Sequence, residues 1–356
     1  MSIETRDPAG DQVGHQAGNP SSTSAHRDSG RAREWTATPE RSNLAALRAI
    51  AWIAIHLGRP VARLVLHPIA LYYLLCAPAP RRASLRYLNR ALGRPAGWAD
   101  LYRHIHSFAS VALDRIWFAA GRLELFDMHI TGNELMDRSV AEARGVFLLG
   151  AHVGSFEALH AVGISHPGLP VAMVMYPENA RMIHTVLQAL APDFAVSIIP
   201  IGQRGSALAI RDFLDKGGLT GLMGDRFVES DAVHGGSLEL MFLGTPTRFT
   251  DGPVRLAMML RQRVMFMVGL YRGGKRYEVR FETLADFREV PADTTERERL
   301  VQATVAQYVQ RLEALCLEAP YNWFNFYDYW NEDTGHEVIG HEVIGHEATG
   351  HDGKAA

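Results

Sequence analysis

The sequence predicts an α/β fold, a mostly parallel central sheet flanked by helices, led in by an N-terminal amphipathic helical segment. Three observations carry that expectation. From about residue 125, short apolar runs alternate with segments of helical period, 146–150 (Val-Phe-Leu-Leu-Gly) being the plainest run. The helical segments end at glycines, as at Gly217-Gly218. Ahead of them, residues 41–99 are apolar and rich in arginine, without one Asp or Glu.

Taken in order, residues 1–40 are polar, rich in Gly, Ser, Pro and Asp, and read as a disordered leader with no secretory signal. Residues 41–99 carry Arg41, Arg48, Arg59, Arg63, Arg81, Arg82, Arg86, Arg90 and Arg94 around two apolar stretches. His56, Arg59, Arg63 and His67 interrupt those stretches, and Pro60 and Pro68 start or break helices there. Neither stretch reaches the ~18 uninterrupted apolar residues of a spanning helix. Two readings stand: a buried helical hairpin with arginines on its wet side, or a basic amphipathic anchor on an anionic membrane surface.

Residues 100–122 have a helical apolar period. Strands are expected at 146–150, 171–176, 196–200, 219–224, 238–243, 264–270 and 277–281, with helices at 155–162, 179–190, 205–216, 252–261 and 294–314. The resulting division is a leader (1–40), a basic membrane-associated segment (41–99), an α/β domain (100–332) and a low-complexity Gly-His-Glu tail (333–356). The tail histidines, His336, His341, His346 and His351, recur every fifth residue. Neighbours would stand about 140° apart on a helix, so no catalytic metal is expected there or elsewhere.

The chain of 356 residues has 47% hydrophobic content, enough for one large domain or two small ones. A net charge of -3 gives no global basic footprint for nucleic acid. Cys76 and Cys316 lie far apart, which implies neither a disulfide framework nor a zinc site.

The segment from Phe147 to Glu157 carries the chemistry. It places His152 beyond a buried strand, in a glycine-flanked turn that opens a helix, and strand ends of α/β sheets are where ligands bind. Glu157 is expected to fold back onto one ring nitrogen, leaving the other to take a proton. Gly150 and Gly154 let backbone and substrate approach closely, and amides at the helix start are expected to hold developing negative charge. A histidine capping a turn, with a glutamate on a helix surface, is the bland alternative on spacing alone.

The His152-x4-Glu157 spacing resembles the His-x4-Asp/Glu box of the lysophospholipid acyltransferase superfamily, and more closely its lipid A lauroyl/myristoyl acyltransferase branch. Companion blocks follow in the same order. Lys216-Gly-Gly leading to Asp225-Arg226 is similar to that branch's strand ending in an Asp. Phe242-Leu-Gly-Thr-Pro246 and Gly252-Pro253 resemble its next block, and Asn322 to Trp330 its closing aromatic element. The resemblance covers about residues 44–332. It implies an acyltransferase fold and transfer of a fatty acyl group from acyl-carrier protein or acyl-CoA to a hydroxyl or amine of a lipid acceptor. In that reading His152 is general base, Glu157 is its partner, and no cofactor is needed. The stretch after Tyr176-Pro-Glu-Asn179 lacks the arginine-rich run of the lipid A enzymes, which leaves the acceptor open.

Gly154, Ser155, Asp225, Arg226 and Arg248 are the candidate substrate contacts, Arg226 facing an acyl carbonyl or an acceptor phosphate. Asp225 and Arg226 read equally as a strand-end ion pair, and Arg248 and Arg255 as solvated. The implied location is the cytoplasmic face of a bacterial inner membrane. Two other classes stay in view. A lipid hydrolase needs an activated nucleophile, and the chain has no Gly-x-Ser-x-Gly elbow. A membrane-binding scaffold needs only the basic segment.

Overall fold

Five consecutive buried residues, with no polar alternation, mark a strand covered on both faces, and strand β2 (Val146–Gly150) is one. It lies at the centre of a seven-stranded sheet whose strands, taken across the sheet, begin at Asp127, Arg276, Arg263, Val146, Leu219, Val171 and Ser197. The computed structural model describes residues 41–330 except 120, 143, 162–167, 178–196 and 227–235. The chain divides into two units, Met1–Ala46 and Leu47–Ala356. The first is described only where a helix begins at Arg41, and the sheet belongs wholly to the second.

The strands are β1 (Asp127–Thr131), β2, β3 (Val171–Met175), β4 (Ser197–Pro200), β5 (Leu219–Met223), β6 (Ser237–Phe242), β7 (Thr245–Thr250), β8 (Arg263–Tyr271) and β9 (Arg276–Asp286). The helices are α1 (Arg41–Cys76), α2 (Pro78–Leu92), α3 (Trp98–Ala119), α4 (Asn133–Ala141), α5 (Ser206–Asp215), α6 (Gly252–Met259) and α7 (Thr294–Glu318). Strands β8, β2, β5, β3 and β4 run parallel. β9 runs antiparallel to β8, and β1 parallel to β9.

The period of two sorts the core into layers. Phe147, Leu149, Phe266 and Val268 pack with Val305, Tyr308 and Leu312 of α7. Val146, Leu148, Met265 and Met267 pack on the other face with Val111, Ile116 and Phe118 of α3 and with Ala62 and Leu66 of α1. Each such side chain contributes about 1.5–3 kcal/mol by leaving water. α7 starts where the sequence can cap it: the Asp293 carboxylate accepts the Glu296 amide at 2.8 Å.

Several boundaries differ from expectation. The strand expected at 238–243 is β6, which sits outside the main sheet in a hairpin with β7. Its turn uses Leu243 and Gly244, both at positive φ, as a tight hairpin requires. β7 was not foreseen, because Thr-Pro-Thr-Arg-Phe-Thr has no apolar alternation. The segment expected as a helix from 155 is a 3₁₀ turn, Phe156–Ala161. The expected helix at 179–190, the leader and the His-rich tail lie outside the described residues.

The basic segment is less free than its composition implies. Arg59 makes two 2.8 Å hydrogen bonds to the buried Asp114. Arg94 pairs with Asp100 at 2.8 Å, and Arg86 with Asp328. The acids come from outside residues 41–99, so a local count of charge missed them. α1 buries Ala54, Ala62, Leu66, Ala70 and Leu74 along one stripe. On the other side it exposes Leu57, Val61, Leu64, Leu71 and Leu75, again at helical spacing. No single helix among the described residues is long and apolar enough to cross a membrane; the pair 56–76 and 78–92, bent by 94°, reaches that length and composition together.

Candidate active site

The register of β2 on β5 pairs Gly150 with Met223. His152 and Asp225 each follow two residues later, so the two side chains leave the carboxyl edge of the sheet together. His152 Nδ1 lies 2.7 Å from Asp225 Oδ1. The His152 backbone amide donates to Oδ2 at 3.0 Å, and the Trp323 indole N–H donates to the same oxygen at 2.9 Å. The Tyr329 hydroxyl holds the Asp225 carbonyl at 2.7 Å. A carboxylate accepts, so Nδ1 carries the proton and Nε2 keeps its lone pair.

The charge states fit a resting base. Burial pushes the Asp225 carboxyl upward, but His152, Arg226 and the indole N–H outweigh it and hold the group well below the usual carboxylate range. Desolvation lowers the His152 imidazole below its ordinary value; Asp225 opposes that shift, while Arg226 and Arg115 reinforce it. The imidazole is therefore neutral at pH 7, and its side chain retains 32% exposure.

The loop that carries His152 is laced to two distant segments. Its carbonyl accepts the Phe324 amide, and the Gly154 amide donates to the Asn322 carbonyl, both at 2.8 Å. Gly154 sits at φ +63°, where a Cβ would lie 2.0 Å from the Gly269 carbonyl oxygen. Asn322 grips β8 through Tyr271, accepting its amide at 2.7 Å and donating to its carbonyl at 3.1 Å. The Tyr308 hydroxyl of α7 caps the Gly150 carbonyl at 2.8 Å. The closing aromatic segment is thus a brace for the site, with Trp323 fully buried at its centre.

His104 adds a further brace. It is fully buried, with Nε2 2.8 Å from the Trp323 carbonyl and Nδ1 2.9 Å from the Ser84 hydroxyl. The carbonyl can only accept, so Nε2 bears the proton and Nδ1 accepts from serine. Burial lowers this imidazole to about 4, so it stays neutral near pH 7.

Glu157 departs from expectation. The carboxylate on the His152 ring is Asp225; Glu157 accepts the Ser155 hydroxyl at 3.0 Å and pairs with Arg115 Nε of α3 at 3.0 Å. The segment turns with 3₁₀ geometry and starts at Phe156, and α3 offers a guanidinium where the fold-back would begin. Gly154 and Ser155 are likewise committed internally: Ser155 is fully buried, and its amide donates to the Gly269 carbonyl at 2.8 Å. Those two amides are spent, so they are not free to hold an oxyanion.

Arg226 stays at the site, its guanidinium 5.5 Å from the Tyr327 ring centre. Arg248 is exposed on β7, opposite Glu239 of β6. Arg255 is taken by Asp251 and Glu298 at 2.9 and 2.6 Å. Sequence reasoning missed Arg115, His104, Tyr308 and the indole of Trp323 as members of the constellation. Only the Gly224-Asp225-Arg226 run just beyond β5 flagged the acid.

A family model described as bacterial lipid A biosynthesis acyltransferase matches residues 35–331. A search of curated proteins finds no match.

Proposed function

The chain belongs to the bacterial lipid A biosynthesis acyltransferase family, and on that premise we propose that it carries an acyl group from the thioester of acyl-carrier protein or acyl-CoA to a hydroxyl or amine of a glycolipid, with His152 as general base. Family membership makes the protein an acyltransferase with a lipid acceptor. The donor, the base and the setting are this reading's own.

The observation that carries it is the 2.7 Å contact of His152 Nδ1 with Asp225 at the carboxyl edge of two parallel strands. Nε2 takes the proton from the acceptor O–H or N–H as that atom attacks the thioester carbonyl. Asp225 stabilises the imidazolium that forms. When the tetrahedral intermediate collapses, the C–S bond breaks and the imidazolium returns its proton to the leaving thiolate. The products are an ester or amide and a free thiol. Arg226 supplies positive charge for the oxyanion. Ser155, buried and donating to Glu157, gives a hydrolase no activated nucleophile.

The exposed apolar stripe of α1 supports work at a bilayer, at the cytoplasmic face of the inner membrane, where a greasy acceptor would be met. With three of the segment's arginines already paired to acids, apolar insertion supplies more of the attachment than charge does.

The test is thioester-dependent acyl transfer to a lipid extract, read by mass spectrometry. His152→Ala should abolish it and Asp225→Ala nearly so. Undiminished transfer by His152→Ala would sink the assignment of the base.

A further inference from the structure

The seam between α1 and α3 is a ladder of opposed residues whose numbers rise on one helix and fall on the other. Arg59 faces Asp114, with two hydrogen bonds of 2.8 Å. One turn on, the same spacing sets Arg63 opposite Ser110. A further turn on, His67 stacks on His106 with ring centres 4.7 Å apart, and His67 Nδ1 lies 2.5 Å from the Tyr102 hydroxyl.

Only the first rung is balanced. Arg63 donates one bond, to the Tyr271 hydroxyl at 2.8 Å, and forms no ion pair among the described residues. Three buried polar atoms of the seam have no hydrogen-bond partner among the described residues: Arg63 Nη1, Ser110 Oγ and His106 Nε2. Such orphans are rare in folded proteins, because each gives up its hydration without a replacement. All three can donate a hydrogen bond, two of them from groups that carry or can carry positive charge. The charges act on one another: burial lowers His106 to about 4, and His67 and Arg63 push it the same way.

Arg63 also lines a cavity of about 430 Å³ with Arg59, Pro60 and Leu125. α1 breaks at Gly58, which has φ 79° and ψ 171°, so a new helical segment begins beside that cavity with Pro60 in its first turn. Helix starts present free amides and partial positive charge. Val61 and Leu64 are exposed on the neighbouring face of that segment.

We propose that this seam binds an oxyanion of the phosphate class, held by Arg63, Ser110 and His106, with the Pro60–Leu125 cavity receiving the rest of the ligand. The anion supplies the charge on the second rung that Asp114 supplies on the first. It comes either as free phosphate or as the headgroup of an anionic phospholipid; the lipid source rests on the membrane reading above, and the free one does not.

The experiment uses the full chain in detergent micelles and on vesicles. The first arm follows thermal unfolding against inorganic phosphate, with chloride at matched ionic strength as reference. The second follows co-sedimentation with phosphatidylcholine vesicles, with and without phosphatidylglycerol. Arg63→Gln and Ser110→Ala are compared with wild type, and Arg82→Gln on exposed α2 controls for loss of one charge. Wild type should respond to phosphate, to phosphatidylglycerol or to both, with apparent affinity about tenfold above Arg63→Gln, the scale of one charge-assisted hydrogen bond. A phosphate response alone identifies a free oxyanion, and a phosphatidylglycerol response alone identifies a headgroup. Ser110→Ala, which removes only a hydroxyl, keeps the test valid if Arg63→Gln fails to fold. Equal responses from wild type and both seam variants, or an equal loss in Arg82→Gln, overturn the proposal. If wild type binds no vesicle at all, the membrane reading falls, while the phosphate arm still judges the site.

Discussion

Trp323 and His152 meet on one oxygen: Asp225 Oδ2 receives both the indole N–H and the His152 backbone amide, at 2.9 and 3.0 Å. With Oδ2 saturated, Oδ1 is left to the imidazole at 2.7 Å, and the ring is fixed in one orientation and one tautomer.

Asp225→Asn should therefore cost far more than its size suggests. The amide must turn either an oxygen or an NH₂ toward Nδ1, and it also loses the charge that stabilises the imidazolium. Transfer should fall by about 10³–10⁴-fold, as for other acids that orient a catalytic histidine, with little change in folded structure by circular dichroism. A loss under tenfold would show that the acid does not serve the base.

The rate should track neutral His152. Its folded value lies below the ordinary histidine value, so activity should persist below pH 6.5 before the acid limb sets in. Arg115 is one of the charges that lower it, and Arg115→Gln should move the limb to higher pH. Arg115→Lys should restore it. A pH-independent loss in Arg115→Gln would assign Arg115 to structure alone.

Much of this site was legible in outline. The His152 turn, the buried run before it and the Gly-Asp-Arg run just beyond β5 all read from local pattern, because each is set by its own few residues. The partnership of His152 with Asp225 was not. It depends on Gly150 pairing with Met223 across 73 residues of chain, and strand register is a tertiary outcome. Glu157 misled for the same reason, since the group that captures it, Arg115, lies on a different helix. The arginines of residues 41–99 looked unopposed because Asp114 and Asp328 lie outside the window.

His104 should make folding stability depend on pH. The unfolded chain takes up a proton near 6.5, and the folded one only near 4. The folded value is depressed, so the unfolded state binds more protons between those limits. The stability is complete above about pH 6.5 and falls away towards pH 4, by about 3 kcal/mol in all. Urea denaturation at several pH values should show that slope reduced in His104→Gln, whose amide can still donate to the Trp323 carbonyl. An identical slope in both would remove His104 as its source.

The two faces of α1 should separate in mutagenesis. Leu64 is 69% exposed, so Leu64→Glu should leave stability within about 0.5 kcal/mol while lowering co-sedimentation with vesicles. Leu66 is buried against α3 and the sheet, so Leu66→Ala should cost about 2–5 kcal/mol and leave the exposed stripe intact. Vesicle binding unaffected by Leu64→Glu would argue that the stripe has another partner.

Gly154 and Gly269 require each other. They form a parallel bridge, and a Cβ on Gly154 would meet the Gly269 carbonyl oxygen at 2.0 Å. A Cβ on Gly269 would meet the Ser155 carbonyl oxygen at 2.3 Å. The obstacles are backbone atoms, which cannot turn aside as a side chain can, and Gly154 also has positive φ. Either alanine should lower stability by about 3 kcal/mol or more and pull His152 away from Asp225. Gly154→Ala should lose transfer more steeply than stability, because the displaced loop carries the base itself. Full stability with full activity in Gly154→Ala would mean that the loop does not run against β8 in the working enzyme.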